Sequence, residues 1–151
     1  MRINTRTFLV VLLISGAFVS AVRGDDDLTL KHSHWKVHAR ATPKSKKAGA
    51  LPFDEELIFK KGILTTPSLQ AQGFGPASYH SGGIETFLKW DCAQQSTTGE
   101  KITWDGIANR QRQRAWKIEG SVTRTFPDGH LYKYIFRGTG EPLSTDPLEA
   151  R

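Results

Sequence analysis

From residue 33 onward the apolar residues of this chain recur at every second position, and glycine, proline or small polar residues break the runs at short intervals. A period of two sends alternate side chains to opposite faces of a strand, and no long stretch carries the 3.6-residue apolar period of a helix. The domain is therefore expected to be mostly β. In the run from Ile84 to Gln94 the even positions are Ile84, Thr86, Leu88, Trp90, Cys92 and Gln94, separated by residues such as Glu85, Lys89 and Asp91. The even set should face the core. Ile102, Trp104 and Gly106 take the inner face of the next run, and Trp116, Ile118, Gly120 and Val122 that of the one after. Pro127, Asp128 and Gly129 make a turn, because proline presets φ and glycine accepts positive φ; Tyr132, Tyr134 and Phe136 then line the last inner face.

The first half is less regular. His34 to Arg40 alternates with Trp35, Val37 and Ala39 inward, and a loop follows from Pro43 to Ala50. Leu57 and Phe59 mark a second strand that Lys60, Lys61 and Gly62 turn tightly into Ile63, Leu64 and Thr65 as a hairpin. Phe74 to Tyr79 suggests a short fourth strand ending in a turn at Ser81, Gly82 and Gly83, and Asp54, Glu55 and Glu56 look like ordinary acid at a strand entry. About eight strands joined by short turns read as an antiparallel meander. Closure removes the edges that an open sheet or sandwich leaves exposed, so the expected fold is an all-β, antiparallel up-and-down barrel with little or no helix after the leader. Gly106, Gly120 and Gly138 each follow a large apolar residue (Trp104, Ile118, Phe136) by two positions. An inward glycine lets a strand coil sharply or lets an aromatic ring lie over its backbone.

The N-terminus carries Arg2 and Arg6, an apolar run from Phe8 to Ile14, and the small residues Ser15, Gly16, Ala17, Ser20 and Ala21. These are the parts of a cleavable secretion signal. Cleavage fits after Ala21, or as late as Gly24 before the acidic Asp25, Asp26 and Asp27. An uncleaved anchor is the competing reading, but a spanning helix needs about 20 apolar residues and this run is shorter. The expected organisation is a signal peptide over 1–21, a flexible segment over 22–32, a barrel over 33–139 and a disordered tail over 140–151. The destination is periplasmic or extracellular, with no integral membrane segment in the mature chain. Cys92 is the single cysteine, so no internal disulfide staples the fold. Losing Arg2 and Arg6 with the leader lowers the net charge from +6 to 19 basic against 15 acidic residues. That mild excess is spread over turn clusters such as Lys44, Lys46 and Lys47, which suits solubility better than nucleic-acid binding.

An exported chain of this size with an early inward tryptophan, Trp35, an antiparallel meander and a late arginine resembles a minimal member of the calycin group, whose best-known family is the lipocalins. Their signature is Gly-x-Trp on the first strand, with the tryptophan packed against an arginine of the last strand. This chain has Ser33, His34 and Trp35, so the tryptophan is present without the glycine. Arg137 has outward parity and Arg124 inward parity, and either is open as the arginine. The chain is also similar to small bacterial exported domains of unknown function with Trp-x-Gly and Asp-Gly patterns, a likeness that implies no activity. The calycin likeness implies a cup for a small apolar molecule.

Two readings of the interior follow. Thr86, Trp90, Gln94, Trp104, Trp116, Tyr132 and Tyr134 would wall a narrow pocket, or the same aromatics would fill a barrel of about eight strands, whose interior is only just wide enough for side chains. The rival to a ligand-binding barrel is thus a filled one that acts through its surface in the envelope or extracellular space. His32 and His34 lie about 6–7 Å apart on one strand face and are weak candidates for a metal site, yet Lys36 and Arg40 share that face with His38 and suit solvent. Cys92 has inward parity and no basic neighbour in sequence, and buried thiols are normally inert. No nucleophile elbow or phosphate-binding glycine loop is present. The expectation is a non-catalytic protein with no cofactor and no bound metal.

Overall fold

The computed structural model describes residues 28–84, 87–109 and 116–142. The leader, most of the segment 22–32, Thr86, the basic turn at 110–114 and the tail beyond residue 142 lie outside the described residues. The strands are β1 His32–Ala41, β2 Phe53–Lys60, β3 Ile63–Thr65, β4 Ala77–Ile84, β5 Phe87–Gln95, β6 Lys101–Asn109, β7 Trp116–Thr125 and β8 Leu131–Pro142. They form one closed barrel in sequence order, each antiparallel to its neighbour, and β8 returns to pair with β1. The all-β up-and-down barrel expected from the alternation is what the chain forms.

Parity holds through the second half because each of those strands has one apolar face to bury. Leu88, Trp90, Cys92 and Gln94 are buried along β5, as are Ile102, Trp104 and Ala108 along β6. Ile84 is the exception at 66% exposure, because the β4–β5 reversal begins there and carries it past the end of the core. Ser81, Gly82 and Gly83 were expected as a turn; instead they extend β4 and pair with Trp90, Lys89 and Leu88. Phe74, expected to open the fourth strand, makes only an isolated bridge to Ser96. The two ends also differ from expectation: Leu28–Lys31 is a short helix, α1, inside the segment read as flexible, and β8 carries Gly140 to Pro142 into register with β1.

Two further short helices interrupt the meander, α2 Pro43–Lys47 and α3 Pro67–Gln70. Both place proline at the first helical turn after an extended threonine, where the missing N–H costs nothing. The α3 helix lies along β2. Its first N–H groups at Ser68 and Leu69 donate to the carboxylate of Glu55, at 3.0 and 2.8 Å, and Glu56 N adds a third bond at 2.9 Å. Glu55 is 3% exposed. It shares inward parity with Leu57 and Phe59, so the reading of it as ordinary strand-entry acid is corrected: it is a buried cap.

The glycines do what their positions suggested. A Cβ on Gly106 would lie 2.5 Å from the Trp90 indole, and one on Gly140 would lie 2.3 Å from that of Trp35. Gly120 and Gly138 instead permit backbone approach, since a Cβ there would meet Asp105 O and Lys36 O at 2.0 Å. Such contacts let a small barrel coil tightly enough to close.

One end of the barrel is sealed by Leu30 of α1, which is fully buried, and by Trp35 tilted against Trp116 with ring centroids 6.2 Å apart. The Trp35 indole N–H donates to Ser33 Oγ at 2.8 Å, and Ser33 in turn donates to Leu30 O at 2.9 Å. Arg137 points outward, 3.8 Å from Glu119, while Arg124 lies inward at the opposite end, beside Phe74 and Phe126. The tryptophan-to-serine arrangement thus stands where the calycin likeness implied an arginine. Among the described residues no helix is long and apolar enough to cross a membrane.

Candidate functional site

Aromatic rings pack against one another across the middle of the barrel. Trp90 stacks on Trp104 at 6.4 Å and takes Phe59 edge-on at 5.0 Å, while Phe136 meets Trp104 at 5.3 Å. Offset and edge-to-face contacts at these distances suit the quadrupoles of the rings. Trp90 and Trp104 are 3% and 0% exposed. Gln94 is committed as well: its carbonyl accepts from Trp104 Nε1 at 3.0 Å, and its amide donates to Thr66 Oγ1 at 2.9 Å and Gly75 O at 3.0 Å. These three residues, expected as pocket wall, form the packed centre. Trp116 sits at the sealed end with Trp35, and Thr86 is outside the described residues.

The two remaining candidates, Tyr132 and Tyr134, lie together at the open end. They line a cup of about 420 Å³ with Phe53, Ile102, Val122, Leu69 and the loop Gly49–Pro52. Phe53 stands edge-on to Tyr134 at 5.1 Å, and the Tyr132 hydroxyl donates to Ala48 O at 3.0 Å, fixing the loop that forms the rim. Phe126 stacks flat on His130 at 4.1 Å and meets Tyr132 edge-on at 5.2 Å. Burial pushes the Tyr134 phenol above its ordinary pKa, against a smaller opposing effect of Arg124.

Among the described residues Arg124 is the one charged side chain on the cup's wall. Its Nε and Nη2 donate to Glu100 Oε2 at 2.9 and 2.6 Å, and Nη1 reaches Gln72 Oε1 at 3.2 Å. The guanidinium carbon lies 5.5 Å from the Phe74 ring centre and 5.2 Å from that of Phe126. Ile102 and Val122 are legible from sequence as inner-face residues but not as cup wall, and Phe53, Leu69, Gln72 and Phe126 carry no such signal. Arg124 was noted only for its inward parity, which was the available signal.

A concavity larger than the cup, about 1060 Å³, lies outside the barrel. It is an open saddle over Gly106 and Gly120, walled by outward residues such as Lys89, Asp105, Ile107 and Ile135. Two contacts cross the same outer face, a hydrogen bond between His80 and Asp91 at 3.1 Å and an ion pair between Arg137 and Glu119 at 3.8 Å. On β1, His34 lies 2.8 Å from Glu56 and His38 lies 2.6 Å from Asp54, so two of the strand's histidines each face a single carboxylate. No group of three or more metal-binding side chains forms among the described residues.

Burial, with a smaller contribution from Asp91, pushes the Cys92 thiol up to about 11. At pH 8 the thiolate is then about one part in a thousand. Iodoacetamide at that pH should leave the folded protein essentially unlabelled over a time in which the urea-unfolded chain reacts completely. Equal labelling of the two forms, followed by intact mass, would contradict the buried placement.

Comparison of the chain with known proteins found no matching family model, no matching curated protein and no matching solved structure.

Proposed function

We propose that the protein is an exported, non-catalytic, calycin-like binding barrel that takes a small apolar or aromatic molecule into the cup at its open end. The cup carries this reading. Its volume falls within the roughly 300–1,000 Å³ typical of small-ligand sites, and its walls are mainly apolar and aromatic with few polar groups. Export rests on the charged, apolar and small-residue segments that open the sequence. Because Trp90 and Trp104 pack the centre, the ligand sits above them, between Tyr134, Phe53 and Val122.

A neutral environment-sensitive probe, N-phenyl-1-naphthylamine, tests the site. Its emission should rise and saturate at one equivalent, and Val122→Phe, which narrows the cup, should weaken binding by about tenfold or more, near 1.4 kcal/mol. A melting curve checks that the variant is folded. A surface-interaction role is favoured by the outer saddle, which exceeds the cup in volume. Probe binding that Val122→Phe leaves unchanged would move the site to that saddle, and no saturable response would remove the cup.

A further inference from the structure

Resting on the cup as a binding site, we propose that its ligand is an uncharged, flat molecule bearing a hydrogen-bond acceptor such as a carbonyl, and that Glu100 is the residue that excludes anions. Arg124 would ordinarily mark a pocket for a carboxylate or phosphate. Here two of its donors are held by one carboxylate oxygen of Glu100, and both side chains are mostly buried, at 25% and 20% exposure. The pair presents no net charge to the cup. An anion drawn to Arg124 would meet a guanidinium whose charge Glu100 already balances, and the Glu100 charge behind it is weakly screened in a partly dry site.

The polar edge that remains is donor-rich. Nη1 of Arg124 makes only the longer bond to Gln72, and the plane of the guanidinium is set by Glu100 and by the flanking Phe74 and Phe126 rings. Tyr134 lines the same cup and keeps its proton at neutral pH, so its hydroxyl is a second donor. The Tyr132 hydroxyl already donates its hydrogen bond to Ala48 O. A ligand that supplies acceptors and no charge satisfies this edge, and a flat one suits the aromatic walls formed by Phe53, Phe126 and Tyr132.

The exposed lysines of α2, Lys44, Lys46 and Lys47, would favour an anion through solvent, and salt near 0.15 M screens them beyond about 8 Å. Calorimetric titration at that salt with naphthalene, 2-naphthamide and 2-naphthoate separates the terms. The amide should bind about tenfold or more tightly than either of the others. In Glu100→Gln the naphthoate should gain about tenfold while the amide changes little, because the glutamine carbonyl still accepts from Arg124. Naphthoate binding to the wild-type protein as tightly as the amide, or naphthalene doing so, overturns the proposal while leaving the cup in place. Binding by none of the three removes the cup itself. The wild-type comparison stands even if Glu100→Gln folds poorly.

Discussion

Gly120→Ala should destabilise the barrel by about 3 kcal/mol or more, enough to leave a small domain marginal or unfolded. The added carbon would sit 2.0 Å from Asp105 O, 2.7 Å from Gly106 Cα and 2.9 Å from Asp105 C, all of them backbone atoms of β6. No rotamer change relieves such a contact. Strand β7 must move away from β6, and the direct pairing of Gly106 with Gly120 lies in the middle of that ladder. Gly75→Ala is the matched control, since nothing lies within 4 Å of a Cβ there, and its effect should stay within about 0.5 kcal/mol. Urea unfolding followed by tryptophan fluorescence measures both. A Gly120→Ala protein as stable as wild type would mean that β6 and β7 are not in this register.

Glu55→Leu should cost about 3–5 kcal/mol, for a different reason. A buried ion pair can be exchanged for apolar residues at little cost when both partners leave together. Glu55 has backbone partners that cannot leave. Removing the carboxylate takes the acceptor from the N–H groups of Glu56, Ser68 and Leu69, of which the Leu69 bond is buried and the other two partly so, and this loss outweighs whatever the leucine gains by burial. Glu55→Gln keeps one acceptor oxygen and should lose about half as much. The loss should be local before it is global: amide exchange at Ser68 and Leu69 should speed up most, and probe binding should weaken because Leu69 is part of the cup. Stability unchanged in Glu55→Leu would show that α3 does not depend on this cap.

These two residues also mark what the sequence made legible. Strands β5 to β8 could be read directly because Leu88, Trp90, Ile102, Trp104, Ile118 and Val122 alternate with charged or polar neighbours. The glycines at 106, 120 and 138 stood out for the same reason. Strand β4 was obscured because His80 to Gly83 carry no apolar alternation; backbone pairing with β5 alone defines them. Both short helices had a signal in the threonine–proline pairs Thr42 with Pro43 and Thr66 with Pro67, which lay within stretches that otherwise read as loop. Parity would have placed Glu55 inside, but a buried acid makes sense only once α3 supplies the donors. The cup was partly visible in Tyr132 and Tyr134. Its other walls come from Phe53, Leu69 and Phe126, brought together by closure and by loops whose paths depend on contacts distant in sequence.

Closure itself sets an order of events in time. The last seam joins the first strand to the last, with Trp35 opposite Gly140 and Ala41 opposite Tyr134. A ribosome releases β1 first and its β8 partner at the end, so β1 waits through synthesis of the whole barrel with only β2 beside it. The hairpins from β4 to β8 can form locally as they emerge, whereas joining the chain's two ends carries a large loop-closure entropy before any contact repays it. Folding on a scale of milliseconds to seconds, with β1 docking onto a preformed β5–β8 sheet, is the kinetic signature this topology imposes.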